Sequence, residues 1–199
     1  MRRVTVIIAA VAAMIGTQAW AADIGARVQE IITERCQLCH GAEGEAATAV
    51  YPRLAAQNKT YLVKQLRDFR DQRRIGTMNE MAKDLTDAEI DGLAAHFSSQ
   101  KPRTKAPANA DLAAVGRYIF RHGNRFSGIA PCASCHGEAG HGTEVLPRLA
   151  GQHPSYVESQ LEDFRSGSRT NDQSIMHAIA SKLTELEIKA AASYIGGLE

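Results

Sequence analysis

The sequence predicts an all-α chain made of one unit written twice. Three observations carry that prediction: an internal repeat, a matched pair of helix-start signals, and apolar spacing of helical period. Pro52-Arg53-Leu54-Ala55 returns as Pro147-Arg148-Leu149-Ala150, 95 residues later. Residues 52–74 and 147–169 share 12 identities in 23 positions, among them Gln57/Gln152, Tyr61/Tyr156 and Gln65/Gln160. A conserved order of matches over this span marks a duplicated domain. Thr86-Asp87-Ala88-Glu89 and Thr184-Glu185-Leu186-Glu187 both fit the capping box, a hydroxyl at the N-cap and a carboxylate three residues on.

The elements follow in order. Arg2 and Arg3 precede an apolar run, Val4 to Gly16, and Ala19-Trp20-Ala21 fits an A-x-A cleavage site. This is the layout of a secretory signal over residues 1–21, with Ala22 opening the mature chain. The run is shorter than the about 18–20 residues a membrane span needs. An exported bacterial chain of this kind is expected in the periplasm. A first helix is expected over Ile24–Arg35 and again over Leu112–Arg121, where Leu112, Val115, Ile119 and Phe120 keep the helical rhythm. A middle helix is expected over Tyr61–Arg70 and Tyr156–Arg165, with Leu66 and Phe69, or Leu161 and Phe164, on one face. The capping boxes open a last helix carrying Ile90, Leu93, Ala94 and Phe97, or Ile188, Ala191, Ala192 and Ile195. No stretch alternates as a strand does.

Between the copies, two prolines and three cations interrupt any helix from Ser98 to Pro107. The expected organisation is therefore a signal over 1–21, one domain over 22–100, a linker over 101–107 and a second domain over 108–199. Each half is short of large apolar side chains, and a core that small needs something more to fill it. Charge is nearly balanced, 23 Lys and Arg against 22 Asp and Glu. Losing residues 1–21 leaves a net charge of −1, without the basic excess of a nucleic-acid binder.

All four cysteines lie in two motifs, Cys36-Gln37-Leu38-Cys39-His40 and Cys132-Ala133-Ser134-Cys135-His136. C-x-x-C-H is the attachment motif of c-type haem. The two thiols add to the two haem vinyl groups as thioethers, and the next residue gives the iron its proximal nitrogen. Two copies at equivalent places predict two covalently bound haem c groups, on Cys36, Cys39, Cys132 and Cys135, with His40 and His136 as axial ligands. A closed zinc site or a thioredoxin-like dithiol fits the context poorly. Met and His are the usual sixth ligands. Met176 is the one Met of the second half, whereas Met78 and Met81 compete in the first. Met78 lies seven residues before Leu85, as Met176 lies seven before Leu183, so the repeat favours Met78. Met81, opposite Ile179, is expected to pack.

His96, His122, His141, His153 and His177 lack a His at the matching place, and surface or helix-end roles are expected of them. His177, beside Met176, is the strongest rival ligand. Carbonyls near Pro52 and Pro147 are placed to fix the haem histidines. Arg53 and Arg148 are read either as partners of haem propionates or as solvated cations. Tyr61 and Tyr156 are expected to pack.

The two C-x-x-C-H motifs, the two Pro-Arg-Leu-Ala-x-Gln blocks, Gln160-Leu161-x-Asp163-Phe164-Arg165 and Arg169-Thr170-Asn171-Asp172 before Met176 resemble the dihaem cytochrome c4 family. The resemblance covers the whole mature chain. It implies two tandem class I cytochrome c domains, haems packed close across a pseudo-twofold interface, and one Met and one His on each iron. Arg73-Arg74-Ile75-Gly76-Thr77 departs from the pattern, lacking the Asn-Asp of residues 171 and 172. The family carries electrons in the periplasm, often loosely attached to the inner membrane, from the quinol–cytochrome c oxidoreductase to terminal oxidases. The expectation is thus an electron-transfer protein rather than an enzyme. The alternatives are the electron-accepting cytochrome subunit of a flavocytochrome c sulfide dehydrogenase, or a dihaem peroxidase. Four propionates would add up to four negatives to the mature chain, suiting a basic partner patch.

Overall fold

The computed structural model describes residues 23–103 and 109–199. The expected signal and residues 104–107 of the expected linker lie outside them. Residues 23–31 form helix α1, which runs into a π-helical turn, Ile32–Cys36. Then come α2 (Gln37–His40), α3 (Lys59–Arg70), α4 (Met78–Ala82) and α5 (Asp87–Ser99). The second half repeats the order with α6 (Ala110–His122), α7 (Ala133–His136), α8 (Pro154–Ser166), α9 (Ile175–Ala180) and α10 (Glu185–Gly196). Among the described residues the sole β pairing is an isolated bridge, Asn124 with Ile129. No helix among them is long and apolar enough to cross a membrane.

Both capping boxes form. Glu89 N donates to Thr86 Oγ1 (3.3 Å) while Thr86 N donates back to the Glu89 carboxylate (2.7 Å). Thr184 and Glu187 do the same at 3.2 and 2.9 Å. Each box satisfies N–H groups that the first helical turn leaves without partners. The stripes that follow are buried as the spacing requires: Ile90, Leu93, Ala94 and Phe97 in α5, and Ile188, Ala191, Ala192 and Ile195 in α10. In the first half they pack with Val28, Ile31, Leu62 and Phe69. In the second half the core is divided, with Phe120, Val157 and Ile195 in one cluster and Ile119, Ile129, Leu183 and Ile188 in another.

Val115 corrects the expected stripe of α6. It is 47% exposed, and the buried line runs instead through Ala113, Gly116 and Phe120. The reason is the closeness of α10. A Cβ on Gly116 would lie 1.9 Å from the Ala190 carbonyl oxygen, so the crossing tolerates no side chain there. Val115 is turned off the contact line that the glycine occupies.

The halves meet through hydrogen bonds that come in reciprocal pairs. Gln57 Nε2 donates to Arg148 O (2.9 Å) and Gln57 Oε1 accepts from Arg148 N (2.7 Å). Gln152 does the same to Arg53, at 2.9 and 2.8 Å. Arg74 donates to Gln65 (2.7 Å) and across to Gln160 (2.6 Å). Arg169, its counterpart, donates to Gln160 (2.7 Å) and across to Gln65 (3.2 Å). Each guanidinium also reaches a tyrosine of the other half, Arg74 to Tyr156 (3.1 Å) and Arg169 to Tyr61 (3.0 Å), and lies over the Phe of its own half. The two tyrosines therefore do more than pack: their hydroxyls are acceptors between the halves. The expected linker is anchored at its near end, where Arg103 N donates to Glu45 (2.9 Å).

Other contacts between the halves are not reciprocal, and one of them involves a buried carboxylate. Buried Asp68 takes bonds from Lys64, from Arg73 (2.8 Å) and, across the halves, from Asn171 (2.7 Å). Burial alone would push its carboxyl up, but these three donors outweigh that and hold it below the ordinary carboxylate range.

Gly116→Ala should lower the stability of the chain by about 1–3 kcal/mol or more, the usual cost of overpacking. Thermal denaturation followed by circular dichroism measures it. The Asp68 contribution is present above the ordinary carboxyl pKa of 3.8 and is lost as pH falls through its lower folded value. Asp68→Asn should therefore melt lower than the parent at neutral pH, and the gap should narrow as pH falls below the ordinary carboxyl pKa of 3.8. Melting curves from neutral pH down through that value test it.

Candidate functional site

The glycines after each C-x-x-C-H motif shape the first part of the site. Gly44 and Gly140 adopt positive φ, 74° and 68°, which lets the loop fold back on itself. Gly44 O then accepts from Leu54 N (2.7 Å) and Ala55 N (3.1 Å). Gly140 O accepts from Leu149 N (2.7 Å) and Ala150 N (3.0 Å). A Cβ on Gly44 would lie 2.8 Å from Ala55 N, so the turn is built on that glycine. These folds carry a prolyl carbonyl onto each histidine. His40 Nδ1 donates to Pro52 O (2.9 Å) and His136 Nδ1 to Pro147 O (3.2 Å).

That bond fixes the tautomer. With the proton on Nδ1, Nε2 keeps its lone pair, which is what a metal-bound imidazole requires. Both histidines are buried, at 6% and 8% exposure. Burial pushes their pKa below the ordinary value, only partly countered by the carbonyl, so the neutral ring is favoured. Cys36 and Cys132 are half-buried, and desolvation pushes each thiol up to about 11. They are protonated at neutral pH, and the thiolate needed for disulfide exchange is scarce. No disulfide joins the four cysteines.

Met78 packs against the core of the first half, and Met176 is half-buried. Met81 is 40% exposed, which corrects the expectation that it packs; its counterpart Ile179 does lie against a core cluster. His177 Nδ1 donates to Phe164 O (2.8 Å), so its nearer ring nitrogen is committed to a carbonyl of α8. Asn79 occupies the matching place and donates to Phe69 O (2.6 Å). This correspondence, Met-Asn in one half and Met-His in the other, aligns Met78 with Met176. His153 is buried at the N-cap of α8 and reaches Ala46 O of the first half (3.1 Å), so its helix-end role includes a contact between halves.

Arg53 and Arg148 lie in a pocket between the halves with Glu45, Gln57 and Gln152. Arg53 is 7% exposed and is not a solvated cation. It donates to the carbonyls of Gly151 and Arg103 and sits 3.6 Å from Glu45. The Nε of each arginine is buried without a hydrogen-bond partner, but Arg148 has no carboxylate beside it, and burial lowers its pKa. A half-buried guanidinium without a carboxylate fits an anionic group brought in by a cofactor. Two thiols and a neutral imidazole with Nε2 available fit covalently held haem in each half, and in the second half Arg148 adds a cation with no anion beside it. What sequence reasoning missed here are Asn79 and the hydroxyls of Tyr61 and Tyr156. The latter pair had a visible signal, since both residues persist in the repeat.

Comparison with known proteins agrees with this geometry. A family model described as cytochrome C oxidase, cbb3-type, subunit III matches residues 23–97, and the cytochrome c model matches residues 121–199. Cytochrome c4 of Pseudomonas aeruginosa is 42% identical over 168 residues, covering 82% of this chain and 83% of that protein. A thiosulfate dehydrogenase electron acceptor of Thiomonas intermedia is 36% identical over 201 residues, covering 98% of this chain and 90% of that protein. The crystal structure of reduced cytochrome c4 from Pseudomonas stutzeri superposes with a TM-score of 0.81 at 36% identity, covering 88% of this chain and 98% of that one.

Proposed function

The chain belongs to the dihaem cytochrome c4 family, and from that premise we propose that it is a periplasmic one-electron carrier, passing electrons from a membrane quinol–cytochrome c oxidoreductase to a terminal oxidase. Its two cytochrome c units carry two covalently bound haem c groups. When bound, each supplies a one-electron iron couple.

The residues take these roles. Cys36 and Cys39 hold the first group, and Cys132 and Cys135 the second. His40 and His136 present Nε2 to the irons, their rings held by the Pro52 and Pro147 carbonyls. Met78 and Met176 supply the sixth ligands. Arg148 would pair with a propionate, and Arg53 holds the wall of the same pocket through Gly151. With His and Met both as ligands, each iron would have no position left for substrate, and the chain itself would perform no bond chemistry. The single observation that carries this reading is the matched pair of buried, Nδ1-tethered histidines, each followed by a methionine at the equivalent place. Oriented, desolvated ligands that hold their geometry keep the cost of reorganisation low when an electron arrives.

A second reading has an observation of its own. The thiosulfate dehydrogenase electron acceptor of Thiomonas intermedia matches 98% of this chain, more than the cytochrome c4 relative does. On that reading the donor is a thiosulfate dehydrogenase rather than the quinol–cytochrome c oxidoreductase. Stopped-flow reduction by each donor separates the two: the physiological donor should reduce the chain at a rate that falls with added salt.

In the oxidised protein, the methionine-to-ferric-iron charge-transfer band should correspond to two Met-ligated haems per chain. Met78→Ala should remove one of the two, and Met81→Ala neither. Absorption and magnetic circular dichroism, normalised to total haem, read both. A band for one haem only, with the other high-spin or bis-His, overturns the carrier reading.

A further inference from the structure

The two methionine loops are not held alike. In the first half, three residues separate Arg74 from Met78; in the second, six separate Arg169 from Met176. Asn79 closes the short loop with a single amide. Its Nδ2 donates to Phe69 O (2.6 Å) and Arg74 O (2.8 Å), and its Oδ1 accepts from Gly76 N (2.7 Å). The loop is thereby tied to α3 at one end and to its own start at the other. In the second half, His177 makes the single bond to Phe164 O. The near end of the longer loop is anchored at Asn171, on Asp68 and Gln65 of the other half. The bonds beyond it, from Met176 N (2.7 Å) and Ser174 N (3.1 Å) to Asp172, stay within the loop.

The backbone differs as well. Gln173 and Ser174 are consecutive non-glycine residues at positive φ, 60° and 62°, just ahead of Met176. Between Arg74 and Met78 there is no such conformation; the nearest, Gln72 (57°), is a single residue ahead of the loop, where the second half has Gly167 (78°). Left-handed conformation at non-glycine residues is strained and persists only where neighbours enforce it. Release of Met176 would let that strain relax, whereas release of Met78 would break the threefold hold of Asn79.

We propose that Asn79 and His177 are the positioning residues of the two iron-ligating methionines, and that they hold them unequally, so that Met176 is the sulfur displaced first. The inference rests on the assignment of Met78 and Met176 as sixth ligands. It makes the second haem the one that admits an external nitrogen ligand, with imidazole as the probe. The exchange replaces one neutral donor by another at the ferric iron, without change of charge or oxidation state.

The experiment is an imidazole titration of the oxidised holoprotein, following the methionine charge-transfer band against total haem. Two phases of equal amplitude are expected, with Met78→Ala retaining only the phase at lower imidazole. His177→Ala should shift that phase about fivefold lower, the factor set by loss of one hydrogen bond of about 1 kcal/mol. His177→Asn, which restores an amide donor, should return it to within about twofold of the parent. Gln173→Gly with Ser174→Gly should shift it higher, and this variant decides the matter if His177→Ala does not accumulate as holoprotein. A single phase, or a first phase that moves with Asn79→Ala instead, overturns the inference while leaving the ligand assignment standing. A starting spectrum with fewer than two Met-ligated haems overturns the assignment and this inference with it.

Discussion

Two arginines that share their acceptors set the geometry of the molecule. Arg74 and Arg169 each hold Gln65 and Gln160 at once, so guanidinium, amide, guanidinium and amide close a ring between α3 and α8. No carboxylate enters the ring. Like charges this close persist because every bond is to a neutral oxygen and each cation lies on a phenyl face. The ring fixes α3 against α8, and these helices carry Phe69 and Phe164, whose carbonyls hold Asn79 and His177. Placement of the methionines in each half thus descends from a contact between the halves.

The histidines are governed by a separate and more local device. A glycine turn, a prolyl carbonyl and burial act in series. The turn delivers the carbonyl, the carbonyl chooses the protonated nitrogen, and burial keeps the ring neutral. The two copies run this series with little variation. The methionine side is where they diverge, in loop length, in backbone conformation and in the residue after the Met. The constant part of each unit is the part that attaches the cofactor, and the variable part is the one that carries the methionine proposed as its far ligand.

Most of the helical frame was legible in the sequence because it depends on local rules. A capping box needs four residues, and a buried stripe needs one helix. Both capping boxes and both last helices formed as their patterns require. The cofactor was legible for the same reason, since C-x-x-C-H is a local geometry. What escaped were partners far apart in the chain. Tyr61 was read as packing because its acceptor role depends on Arg169, 108 residues away. Arg53 was left between solvent and propionate because its partners are carbonyls of Gly151 and Arg103. The short helices α2, α4, α7 and α9 carry too few turns to leave a periodic trace. Val115 kept the helical rhythm yet lies exposed, because a glycine contact moved the buried line.

The reciprocal amides have an implication for ancestry. Gln57 pairs with the backbone of Arg148 as Gln152 pairs with that of Arg53. A surface in which each residue meets the equivalent of its own partner is isologous, the pattern of a twofold homodimer. Here the two protomers share one chain, so association no longer depends on dilution; a short tether holds them at an effective concentration in the millimolar range. Fusion also ended the requirement that both protomers be identical. In a true homodimer a change at Asn171 or Tyr51 would appear on both sides. In this chain Asn171 bonds Asp68 with no mirror bond among the described residues, and Tyr51 stands edge-on to His40 where the matching position of the second half is Leu146. Joining two copies turned a symmetric pair into a molecule with a direction.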